Sequence, residues 1–479
     1  MITAGPTRRP RRARRRELGL LAVAMAALLA GWASLESTRA GHLTLGDPRL
    51  LLIYFALLAA IHVAFVLAGR QSDEILLPTT GLLGGISLLF MDRLPQGLGT
   101  EVIGGFHLGL AHLQLLWLIL SFGLMAAVAI VVRSDTWLRY YKYSWAAAGV
   151  GLLLLVFVFG EDTNGSRLFL RVGPVAGQPS ELLKIILVVF LAGYLADNRV
   201  LLARSSTRLG PLRLPPLPYL LPMAAMWGLA LAIVIFQRDL GAALLFFGVF
   251  LALLYVATQR ASYVLFGAVL FVAGSAVLYH VFGTVQERVD IWLDPWATAG
   301  TSGFQIVRAL YALGRGGILG TGLGAGLPSV GGSPAIPAIQ TDFVFAGLAE
   351  ELGLVGALAI LLLYLVIAER GLRIAAVARD DFRALLVSGL TFSMILQAAI
   401  IVGGDAKLIP LTGITLPFVA YGGSSLVGNG IIVGLILAFS EPGADSALSP
   451  PPREPDDPLT VRARARARRA AGRFRRAVS

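Results

Sequence analysis

Gln340-Thr341-Asp342-Phe343-Val344-Phe345-Ala346-Gly347-Leu348-Ala349-Glu350-Glu351 sets one carboxylate at the mouth of a long apolar run and two more inside it. A charge at bilayer depth costs roughly 2.5 to 3.5 kcal/mol on insertion scales, so an acid at or within a spanning segment is a candidate functional group. Asp342 has a second reading, because Asp suits the N-cap of a helix, where it meets the orphan amides and the helix dipole. Within this stretch alone the cap is the stronger reading, and the rest of the chain has to decide.

The run sits in a chain of 479 residues, 56% hydrophobic and only 14% charged, with a mean hydropathy of +0.76. That leaves too little charged surface for a soluble protein of this size. Apolar runs fall near 18–35, 50–69, 75–91, 111–132, 143–160, 181–198, 217–236, 240–257, 261–282, 343–368, 384–403 and 424–440. At about 20 residues per crossing they make an all-α polytopic membrane protein of about twelve transmembrane helices. The first run follows an Arg-rich head, and the later spans favour a retained signal anchor over a cleaved signal.

Lys and Arg concentrate in cytoplasmic loops, which orients the chain. With the N-terminus inside, the inner connections carry Arg133, Arg139 and Lys142, then Arg199, Arg204, Arg208 and Arg213, then Arg260, then Arg370, Arg373, Arg379 and Arg383. The basic C-terminal tail is also inside. The segment 281–341, rich in Gly, Pro and Trp, is then extracytoplasmic and too long for an ordinary connection, so it reads as a functional loop. Asp342 faces outside. Arg167, Arg171, Arg238, Arg288, Arg308, Arg315 and Lys407 break the rule by falling on the outer side. Each taken singly is an interfacial anchor; together they could line a site for an anionic headgroup.

The net charge of +12 sits largely in two tails, Arg8–Arg16 and Arg462–Arg476. Tails flanking a membrane domain hold anionic lipid rather than nucleic acid. The absence of Cys excludes disulfides and thiolate catalysis, and five His without HExxH-type spacing argue against a zinc site.

Four further stretches carry polar groups to membrane depth. In Gln178-Pro179-Ser180-Glu181-Leu182-Leu183-Lys184, Glu181 and Lys184 share a helix face at i and i+3. They form either a self-neutralised anchor or one wall of a polar cavity, since intramembrane charge pairs face a bundle interior. In Gln237-Arg238-Asp239-Leu240-Gly241, Asp239 is placed to cap the following helix. The glycine run Gly314-Arg315-Gly316-Gly317-Ile318-Leu319-Gly320-Thr321-Gly322-Leu323-Gly324 lacks a GK[ST] and a strand-to-helix context, so no nucleotide, haem or flavin is expected. Its amides either approach a phosphate or fold the loop tightly. Finally, Pro417 and Gly422-Gly423 break helical structure in Gly413-Ile414-Thr415-Leu416-Pro417-Phe418-Val419-Ala420-Tyr421-Gly422-Gly423-Ser424-Ser425, which is tolerated only against protein or a water-filled cavity.

With Asn164-Gly165-Ser166 ahead of them, and in this order over 135–440, these stretches resemble the SEDS family of cell-wall proteins, RodA, FtsW and SpoVE. The 407–425 region is more similar to the RodA branch. The resemblance implies a ten-helix core over 75–440 with its large extracytoplasmic loop at 283–341. Residues 18–74 would then be two additional helices, with basic cytoplasmic tails at 1–17 and 441–479. It also implies peptidoglycan glycosyltransfer, in which lipid II is polymerised at the outer face of the bacterial cytoplasmic membrane and undecaprenyl diphosphate is released. By the same resemblance Asp342 is the catalytic residue, Glu181 and Lys184 line the central cavity, and a class B penicillin-binding protein is the partner. Departures are Pro337-Ala338-Ile339-Gln340 where the family has Pro-Glu-x-His, Arg238 for Pro, Phe169 for Trp, and Ala420 for Ser.

The chemistry expected of Asp342 is general-base removal of the acceptor hydroxyl proton. A helix N-terminus beside it would keep the acid ionised by depressing its pKa. The departing diphosphate calls for positive charge, for which Arg167, Arg238, Arg288, Arg315 and Lys407 are candidates, with a divalent cation such as Mg or Mn. Asp239 completes the substrate-binding set. The rival reading is a flippase for the lipid-linked precursor, because intramembrane charges and broken helices also mark transport paths.

Overall fold

The computed structural model describes residues 14–441 apart from 43–45, 100, 104–105, 164–165, 173–174, 205–206, 210–211, most of 215–238, 327–328 and 331–332. Its helices are α1 (Arg15–Ala40), α2 (Arg49–Leu67), α3 (Leu76–Arg93), α4 (Leu110–Val131), the short α5 (Thr136–Tyr140), α6 (Lys142–Phe159) and α7 (Ser180–Arg204). They continue as α8 (Leu240–Thr258), α9 (Ala261–Val281), α10 (Gly283–Leu293), α11 (Phe304–Gly316), α12 (Val344–Ala376), α13 (Asp381–Asp405) and α14 (Gly423–Phe439). Strands are confined to short antiparallel hairpins in the connections, such as Glu101–Ile103 with Phe106–Leu108. Among the described residues nine helices are long and apolar enough to cross a membrane: α1, α2, α4, α6, α7, α8, α9, α12 and α13. α3 and the shorter α14 occupy two more of the expected apolar runs. The expected span at 217–236 lies almost wholly outside the described residues.

Among the nine long apolar helices, α13 is the most enclosed, packed by α7, α8, α12 and α14. α9 is almost entirely exposed, with Leu265, Val269 and Val272 turned outward, as suits a helix facing hydrocarbon. α4 and α14 lie close because of glycine: a Cβ at Gly430 would stand 2.5 Å from the Ser121 carbonyl oxygen, and one at Gly434 2.8 Å from that of Met125. Small residues four apart let two helix backbones approach, and the Ser121 hydroxyl uses the approach to donate to the Leu426 carbonyl.

The two N-terminal helices are tied to the bundle by buried polar groups. Arg14 pairs with Glu17 and donates to the carbonyls of Arg70, Ser72 and Asp73. Arg70 in turn pairs with Glu441 and donates to the carbonyls at the end of α4, and Asp73 pairs with Arg370 of α12 at 2.5 Å. These bonds satisfy helix-end carbonyls and charges that would otherwise be stranded at a low-dielectric boundary.

α12 is two helices in series. Gly353 lies at φ +67°, in the left-handed region, and the helical ladder breaks there. The freed groups are matched by the glycine run: Thr321 and Gly322 amides donate to the Glu350 and Glu351 carbonyls, and the Leu354 and Val355 amides donate to Gly317 and Ile318. A break at this depth persists because neighbouring backbone satisfies it. Of the two readings for the glycine run, the structure therefore supports tight packing: these amides are spent on α12.

Candidate functional site

Ala338, at φ +56°, turns the chain so that the Asp342 amide donates back to the Ala338 carbonyl at 2.9 Å. A bond from the Tyr421 amide to the Gln340 carbonyl at 2.8 Å ties this turn to the Pro417 segment. Asp342 then stands just before α12, whose N-cap is Phe343 and has no side-chain capping bond. The cap reading of Asp342 is thereby corrected. The acceptor for the first turn comes from another helix, where Asp405 Oδ2 takes the Ala346 amide at 3.3 Å.

Released from capping, Asp342 lines a cavity of about 300 Å³ together with Arg288, Trp292, Gln305, Lys407 and Ile409. Burial pushes its carboxyl up to about 6, opposed by a bond with the Thr341 side chain and by the charge of Arg288. The expected depression by a helix N-terminus is thus reversed, because desolvation of the charged form outweighs the nearby favourable groups. Arg288 is held by the Thr412 carbonyl at 3.2 Å and stands within Coulombic reach of Asp239, Asp342 and Glu287. Lys407 is fixed by its backbone: it adopts φ +58°, and its carbonyl accepts from the Trp292 indole at 3.1 Å.

The Gln-Pro-Ser-Glu helix supplies a second charged group deeper in the bundle. Lys184 pairs with Glu181 at 2.6 Å and donates to Gln397 Oε1 at 2.8 Å and Asn429 Oδ1 at 3.0 Å. Both charges are buried, so the pair faces protein, as a desolvated ion pair requires for its remaining donors. Asp239 caps α8 by accepting from the Ala242 amide at 3.0 Å, as its position predicts. Burial raises its carboxyl, opposed by that amide and by Arg288, while Glu181 adds to the rise. Lys184, Glu181, Asp239, Arg288 and Asp342 thus form a connected series of charges from the bundle interior to the cavity.

Arg315 is placed elsewhere: it pairs with Glu350 at 2.7 Å at the end of α11. Glu351 accepts from the Gly324 amide at 3.0 Å and faces Arg93 at 3.4 Å, so both glutamates fasten the loop to α12. Arg238 and the side chain of Arg167 lie outside the described residues. Sequence reading passed over Asp405, Gln397 and Asn429, although each is a polar residue in or at the end of an apolar run and meets the same criterion that singled out Asp342. Among the described residues no three His, Asp or Glu side chains are grouped to hold a metal ion; a Mg-type ion needs only one or two carboxylates beside substrate phosphates, and Asp342 in the cavity is such a carboxylate.

A family model for cell cycle proteins of the FtsW, RodA and SpoVE type matches residues 75–442. The peptidoglycan glycosyltransferase RodA of Mycobacterium tuberculosis (strain H37Rv) is 38% identical over 414 residues, 86% of each chain. Stage V sporulation protein E of Bacillus subtilis is 36% identical over 318 residues, 66% of this chain and 83% of the relative. Among solved structures, a peptidoglycan synthase complex that coordinates polymerization and crosslinking contains a chain superposing with a TM-score of 0.61 at 26% identity, over 79% of this chain and 99% of that one. A RodA variant from Thermus thermophilus shares the fold at a TM-score of 0.51 and 24% identity, over 77% and 97% of the two chains.

Proposed function

The chain belongs to the FtsW, RodA and SpoVE family of cell cycle proteins, and on that premise we propose how it works as a peptidoglycan glycosyltransferase. It polymerises lipid II into glycan strands at the outer face of the cytoplasmic membrane, with both termini in the cytoplasm. The observation that carries the chemistry is a buried carboxyl, Asp342, raised to about 6 and lining one cavity with two cationic residues, Arg288 and Lys407.

A sugar hydroxyl is a poor nucleophile until its proton leaves. The Asp342 carboxylate takes that proton as the hydroxyl oxygen forms its bond to the anomeric carbon of the donor sugar. The bond from that carbon to the diphosphate oxygen breaks with its electron pair, and undecaprenyl diphosphate departs. A single carboxylate acting on one face gives inversion at the anomeric carbon. With a pKa of about 6, roughly nine tenths of Asp342 is ionised at pH 7, close to the optimum between availability and basicity. Arg288 and Lys407 offset the charge that develops on the diphosphate, in a cavity where water screens them poorly. Mg or Mn, when bound, would serve as a counter-ion of that diphosphate.

The lines of support for a partner are chemical and comparative. Glycan strands need crosslinking, and a relative of this fold sits in a complex that couples the two reactions. A class B penicillin-binding protein is the partner proposed.

The test is polymerisation of lipid II by the purified full-length protein in liposomes, followed by product length on gels. Asp342→Asn is expected to abolish polymer while melting as a folded protein. A folded Asp342→Asn protein with full activity would remove Asp342 from the mechanism. Movement of lipid II across the bilayer without polymer would instead favour the transport reading.

A further inference from the structure

Asp405 is a buried acid that the reaction as written does not use. It is fully enclosed, its Oδ2 accepts the Ala346 amide at 3.3 Å, and its Oδ1 has no hydrogen-bond partner among the described residues. Leaving a carboxyl oxygen buried and unmatched costs free energy, so an apolar residue of similar size would serve the packing of α13 better. Among the described residues, the hydrogen bond that the carboxyl adds is the one to α12. That bond joins two pieces of the cavity wall. On one side, the Ala346 amide belongs to the first turn of α12, where Phe343 provides no side-chain cap and the leading amides have no acceptors within the helix. Four residues earlier stands Asp342. On the other side, Asp405 is the last residue of α13, two before Lys407. The turn between them is fixed by the Ala406 amide on Val402 and the Lys407 amide on Gly404, both at 3.0 Å. Gly404 and Lys407 line the same cavity as Asp342.

We propose that Asp405 is a positioning residue for glycosyl transfer: its bond to the Ala346 amide locks the turn that carries Asp342 to the turn that carries Lys407. The inference rests on the reading of Asp342 as base. Base and cation come from segments more than 60 residues apart in sequence, and transfer needs both aligned on one donor. Misplacement by about 1 Å can cost on the order of a hundredfold in rate.

The test compares lipid II polymerisation kinetics and thermal melting in three variants of the full chain. Asp405→Val removes the acceptor while keeping the space filled. It is expected to lower kcat per folded molecule at least tenfold, to leave KM within twofold, and to melt no lower than the parent. Asp405→Asn keeps an acceptor oxygen toward Ala346 and is expected to restore kcat to within threefold of the parent. If Asp405→Val does not fold, Ala346→Pro deletes the same bond from the donor side, at an amide with no acceptor inside the helix, and in a protein that melts as the parent does is expected to show the same fall in kcat. Parental kcat in a folded Asp405→Val or Ala346→Pro protein overturns the proposal. So does equal impairment of Asp405→Asn and Asp405→Val, which would assign the role to charge instead of the bond. An inactive Asp342→Asn beside a fully active Asp405→Val defeats the positioning role alone, whereas an active Asp342→Asn defeats the base on which it rests.

Discussion

Arg288→Gln tests the electrostatics of the base directly. In the parent, Asp342 at about 6 must be ionised to accept a proton, so kcat/KM should fall about tenfold per pH unit below 6 and level off above 7. Together with the Thr341 side chain, the charge of Arg288 opposes the rise in this pKa, and a nearby opposite charge shifts a carboxyl by roughly one unit at most at this separation. Replacing it with neutral Gln removes that opposition, so the acid limb should move upward, to about 7 at most. At pH 6 the ionised fraction would drop from about one half to no less than about one tenth, at most roughly a fivefold loss, corresponding to about 1 kcal/mol. This pH-dependent part of the loss should shrink steadily toward pH 8.5, where both proteins are ionised at this site, leaving a pH-independent fall in kcat from the lost stabilisation of the diphosphate charge. Any loss of diphosphate affinity appears separately as a pH-independent rise in KM. The measurement is initial polymerisation rate against lipid II concentration from pH 5 to 8.5. A parent profile with no acid limb, or an Arg288→Gln limb displaced to lower pH, would refute the assignment of Asp342 and the role of burial in setting its pKa.

The same shift has a consequence for stability. A carboxyl raised from 3.8 to about 6 favours the fold when protonated, so its contribution is fully present below about pH 4 and is lost as pH rises through 6. Asp342→Asn should therefore melt higher than the parent at pH 8, by at most about 3 kcal/mol, with the gap falling to about half near pH 5 and closing below about pH 4. Lys184→Met would strand the buried Glu181 charge and is expected to lower stability by roughly 3 to 5 kcal/mol, with partial recovery in the Glu181→Gln/Lys184→Met double variant, read by thermal melting in detergent. Gly353→Ala should abolish folded protein on size-exclusion chromatography. Its Cβ would stand 2.2 Å from the Gly320 amide nitrogen, at a φ of +67° that side chains rarely adopt.

How much was legible beforehand depends on the range of the interaction. Glu181 and Lys184 are three residues apart, so their pairing follows from helical period alone. Asp239 caps the helix it precedes for an equally local reason. Asp342 looked like a cap by the same local logic and is not one, because the competing acceptor, Asp405, arrives from a helix end distant in sequence. Arg288, Arg315 and Lys407 were equivalent as charges misplaced on the outer side. The fold separates them, sending Arg315 to Glu350 and the other two to the Asp342 cavity.

Hydrophobic length, charge asymmetry and motif order suffice to establish an all-α membrane protein and its family, and to single out Asp342 as the candidate acid. These properties depend on residue type and spacing, which the chain carries in one dimension. The tertiary structure alone decides that Asp342 does not cap α12 and is enclosed and raised to about 6, that the glycine run serves the break at Gly353, and that, among the described residues, Arg288 and Lys407 line the Asp342 cavity. Desolvation and long-range hydrogen bonds depend on which segments enclose a group, and that enclosure exists only once the helices have packed.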